Sequence, residues 1–112
     1  MKLIFAIVHD EDANKAVRRL NDNKFRVTKL MSTGGFLKSG NTTLMIGVED
    51  EAVEKVMEIL KKECEKRTEV EIAMPYMPGG SVPMMNYSYV PIKAEVGGAT
   101  VFVVEVADFR KI

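Results

Sequence analysis

The chain has no tryptophan, a single cysteine (Cys64) and a single histidine (His9). One thiol and one imidazole per chain cannot build a disulfide framework, a dithiol redox pair or a tetrahedral zinc site, so metal and redox chemistry lose most of their footing. Long apolar runs are missing too. Leu3 to Val8 is the first such run, too short for the core of a secretory signal and far too short to span a bilayer. These shortages predict a cytoplasmic protein with no membrane partner.

Excess charge of either sign is absent: 16 basic residues face 16 acidic ones for a net charge of zero, which argues against a nucleic-acid partner. The balance hides an asymmetry. Residues 1–40 hold eight Lys or Arg and four Asp or Glu, residues 41–71 hold five and nine, and residues 72–112 hold three of each. No acid occurs between Asp22 and Glu49, while Lys24, Arg26, Lys29 and Lys38 all fall inside that stretch. Such a segment suits a small anion.

What is present describes one α+β domain covering residues 1–112, of 46% hydrophobic and 29% charged residues, long enough for one two-layer core. Leu3 to Val8 reads as a strand, followed by a helix with Asp10 as its N-cap and Ala13, Ala16, Val17 and Leu20 at helical spacing. A second strand is expected from Phe25 to Thr33 and a third from Thr42 to Val48. Asp50 can cap a second helix, whose apolar stripe is Val53, Val56, Met57, Leu60 and Cys64. A fourth strand follows at Val70 to Ala73. The order βαββαβ predicts a ferredoxin-like fold, with both helices on one face of an antiparallel sheet. The bare opposite face needs a partner, and self-association is the expected remedy.

Residues 74–91 contain all four prolines, all three tyrosines and four of the eight methionines. They are expected to form a long irregular loop, about 74–88, whose side chains suit an adaptable contact surface. The chain then returns in strands at Val90 to Val96 and Ala99 to Val106, joined by Gly97-Gly98.

Thr33 to Thr43, TGGFLKSGNTT, is the richest segment in polar and glycine residues. Gly35 and Gly40 have the spacing of a P-loop, but Asn41 stands where the phosphate-binding lysine belongs and a strand follows instead of a helix. Two readings stay open on residue types alone. Glycines that admit close backbone approach, hydroxyls, Asn41 and the ring of Phe36 suit a nucleotide, with Lys24, Arg26 and Thr28 projecting beside them, opposite Phe25 and Val27. The alternative is a glycine-rich hairpin with a solvated basic edge. Catalysis has little support: His9 ends a strand beside Asp10, Cys64 lies on a core stripe, and Glu49, Asp50 and Glu51 suit a helix start.

At these residues the chain resembles the PII-like cyclic di-AMP receptor proteins, relatives of the nitrogen-regulatory PII proteins. The likeness rests on Ala6-Ile7-Val8, FRVTKL at 25–30, TGGFLKSGNTT at 33–43, Gly47-Val48 and VGGATVFV at 96–103. It implies a PII-like homotrimer that binds cyclic di-AMP between subunits, performs no catalysis, needs no cofactor, and signals to an unknown effector protein through the loops at 34–41 and about 74–88. The ligand contacts it implies are Arg26, Thr28, Gly35, Phe36, Leu37, Asn41 and Gly47, with Val27 through its backbone. Lys24, where the family typically has asparagine, joins them as a charge near phosphate. A nucleotide-binding PII-type regulator with a different ligand, a CutA-like metal-tolerance protein and an enzyme acting on nucleotides are the competing readings.

Overall fold

A computed structural model describes residues 1–30, 40–73 and 90–112. Two compact units emerge: residues 1–66 with 97–112, and residues 67–96.

The first unit opens with β1 (Lys2–His9), α1 (Asp10–Asp22), β2 (Val27–Leu30) and β3 (Asn41–Val48). A single 3-10 turn at Asp50–Ala52 leads into α2 (Val53–Cys64). The second unit is the antiparallel pair β4 (Arg67–Ala73) and β5 (Val90–Val96). The first unit closes with β6 (Ala99–Glu105). Its sheet has the order β2-β3-β1-β6, with every neighbouring pair antiparallel. This is the ferredoxin-like α+β architecture, because each helical crossover skips one strand.

Alternation decides which face is covered. Ile4, Ala6 and Val8 of β1 and Leu44, Ile46 and Val48 of β3 are buried, together with Ala13, Ala16 and Leu20 of α1 and Val56, Ile59, Leu60 and Cys64 of α2. Ile59 takes the buried place expected of Met57, which is half-buried. Asp12, in the first turn of α1, is also fully buried, with Lys15 Nζ at 3.7 Å from its carboxylate. The opposite face carries Leu3, Phe5 and Ile7 of β1, half-buried, and the exposed Phe102 and Val104 of β6.

Three expectations need correction. The strand beside β1 is β6, whereas β4, which contains Val70 to Ala73, pairs with β5. β6 forms an edge of that sheet, and its Val101-Phe102-Val103-Val104 is an uninterrupted apolar run of β-branched and aromatic residues, while Glu69 and Glu71 interrupt β4. Asp10 does not cap α1 through its side chain; its Oδ1 accepts a hydrogen bond from Thr42 Oγ1 at 2.5 Å. The second strand starts at Val27, later than expected. The 74–88 loop lies outside the described residues, as do residues 31–39.

Candidate functional site

The candidate residues enter through the end of α1. Phe25 N donates to Leu20 O and Lys24 N to Asn21 O, both at 2.9 Å, and Lys24 has φ +66°. These bonds form a Schellman motif, with Lys24 at the left-handed position that glycine or asparagine fills best and Phe25 folding back toward the core. Lys24 is therefore placed by a helix end and not by strand alternation. Its exposure nevertheless follows the expected pattern: Lys24, Arg26 and Thr28 are exposed, while Phe25 and Val27 are half-buried.

β3 supplies the floor. Val27 is registered with Ile46 and Thr28 with Met45. One step further along this antiparallel pair, Arg26 comes level with Gly47, which is itself registered with Leu3 of β1. Among the described residues, a Cβ placed on Gly47 would meet only Met1 Cε, at 3.5 Å. The surface beside Gly47 is thus open to close approach. The Met1 ammonium lies 2.9 Å from Asp50 Oδ1. That hydrogen bond raises the ammonium above its usual pKa and lowers the Asp50 carboxyl below its own.

Asn41 sits at the other end of β3. It is registered with His9, follows Gly40 (φ +104°), and is six residues from Gly47, about 20 Å along an extended strand. Leu30, registered with Thr43, ends β2 at that same end. Arg26, Val27, Thr28, Gly47 and Lys24 therefore gather at one end of the sheet, with Asn41 at the other. Gly35, Phe36 and Leu37 fall outside the described residues.

Between the two ends lies the sheet face that neither helix covers. Phe5 is registered with Phe102, and Phe102 and Leu30 are exposed by 51% and 38%. A cleft of about 520 Å³ between α2 and β6, lined by Met57, Leu60, Cys64, Ala99 and Val101 among others, includes none of the candidate residues. Among the described residues no three His, Cys, Asp or Glu side chains come together to hold a metal ion, and no helix is long and apolar enough to cross a membrane. Sequence reasoning missed the pairing of Asp10 with Thr42. Its only sequence signal was a threonine at an inward-facing position of β3.

A guanidinium, a hydroxyl and a glycine thus lie at one end of the sheet, and residues 23–48 carry no carboxylate. The family model described as cyclic-di-AMP receptor matches residues 1–112, and the chain belongs to that family. Among solved structures, the chain is similar to a functionally unknown protein from Pediococcus pentosaceus ATCC 25745. The two share 45% sequence identity with a TM-score of 0.75, over 99% of this chain and 96% of that one.

Proposed function

We propose that this chain is a signalling receptor that binds cyclic di-AMP in clefts between neighbouring copies of a homotrimer and passes the signal to a protein partner through its loops. The contacts are Lys24, Arg26, Val27, Thr28 and Gly47 from one copy, with Asn41 and the neighbouring Gly35, Phe36 and Leu37 from the next. A single observation carries the shared site. The two ends of β3 are about 20 Å apart, far more than the phosphodiester ring of a cyclic dinucleotide spans. Both ends border an apolar face that a second copy can cover, and apposing copies brings one end to the other.

The chemistry suits a dianionic ligand with two purines. Arg26 offers a forked donor to phosphate, Lys24 adds positive charge, Thr28 and Asn41 provide hydrogen bonds to base edges, and Phe36 provides a stacking ring. Gly47 admits the ligand close to the strand. The role is binding and relay, without turnover. Calorimetry of the wild-type chain with cyclic di-AMP, alongside sedimentation, tests it: a trimer is expected to take up one ligand per chain. A folded protein giving neither heat nor thermal shift at high micromolar ligand overturns it, as does a monomer that binds equally well.

A further inference from the structure

We propose that Thr42 and Asp10 are positioning residues for ligand recognition, acting through Asn41. This rests on the functional reading above and deepens it. Asp10 is the first residue of α1, and it holds the start of β3 twice. Its backbone N–H donates to Gly40 O at 2.7 Å, and its carboxylate accepts from Thr42 Oγ1 at 2.5 Å. The two bonds bracket Asn41, one on the residue before it and one on the residue after.

Alternation makes the bracket one-sided. Thr42 is 8% exposed and shares the inward parity of Leu44 and Ile46, so its hydroxyl reaches α1. Asn41, of opposite parity, belongs to the uncovered face. The bond from Thr42 to a carboxylate is charge-assisted, so it is of the stronger kind. Gly40, at φ +104°, allows the chain to turn as it enters β3 from residues 31–39. The helix start therefore fixes from behind the strand residue that the ligand meets in front.

Thr42→Val removes the hydroxyl while keeping the shape, and Thr42→Ser restores it. The expected result is about a tenfold weaker Kd for cyclic di-AMP in Thr42→Val at 25 °C, with recovery in Thr42→Ser. In a background of Asn41→Ala, Thr42→Val is expected to change Kd no further, because its effect passes through Asn41. Equal Kd in Thr42→Val and wild type overturns the proposal and leaves the receptor reading intact. So does an effect of the same size with and without Asn41, which would mark Thr42 as merely structural. A wild-type chain that binds no cyclic di-AMP overturns both.

Discussion

Replacing Gly47 by alanine separates folding from recognition. Gly47 lies within β3, its φ is not in the left-handed region, and among the described residues a new Cβ would touch only Met1 Cε at 3.5 Å, an ordinary van der Waals contact. A glycine inside a strand is about 0.5–1 kcal/mol less favourable than alanine because it loses more backbone freedom on folding. The variant is therefore expected to melt higher, by roughly 2–6 °C for a chain of this size. The same methyl group occupies the space through which the ligand would approach the strand. Overpacking a fitted contact costs about 1–3 kcal/mol, or roughly 5- to 150-fold in Kd. Differential scanning fluorimetry and calorimetry with cyclic di-AMP read the two effects independently. A melting temperature several degrees lower would show that the glycine is structural, and an unchanged Kd would show that the ligand does not approach Gly47.

Arg26→Ala is expected to weaken cyclic di-AMP binding by about 10- to 100-fold, as loss of a charge-assisted donor implies, with a melting temperature close to wild type because the side chain is exposed; calorimetry and fluorimetry check both. Lys24→Gly relieves the left-handed strain at the end of α1 and is expected to stabilise the fold by about 1 kcal/mol in urea unfolding, and no gain would contradict the assignment of the motif. Phe102→Asp places a charge on the helix-free face, beside Phe5, and is expected to yield monomers in light scattering; a trimer that persists would mean that another surface holds the copies together.

Local patterns made much of this fold legible. Alternate residues of the β1 run, the 13-16-20 stripe of α1 with Val17 half-buried at its side, and the alternation of β3 supply the core that their periods select. Pairing over long sequence separation was not legible. Val70 to Ala73 was recognisable as strand, but nothing within it showed that its partner is β5 and that β6 takes the place beside β1. Asp10 looked like a helix cap, and its actual partner, Thr42, is 32 residues away. For the candidate site, the exposure of Arg26 and Thr28 followed from alternation alone. Lys24 is exposed as alternation suggests, but what holds it there, the backbone bonds to Leu20 and Asn21 of a Schellman motif, no residue type announced.

Mixing two defective variants addresses the central claim, a site divided between copies. Arg26→Ala and Asn41→Ala chains, each binding only weakly alone, are unfolded together, refolded as mixed trimers and titrated with cyclic di-AMP. If Arg26 of one copy works with Asn41 of the next, about a quarter of the sites in a random mixture regain both residues and bind at wild-type affinity. If both residues serve the ligand from within one chain, every site in the mixture stays defective and no tight binding returns.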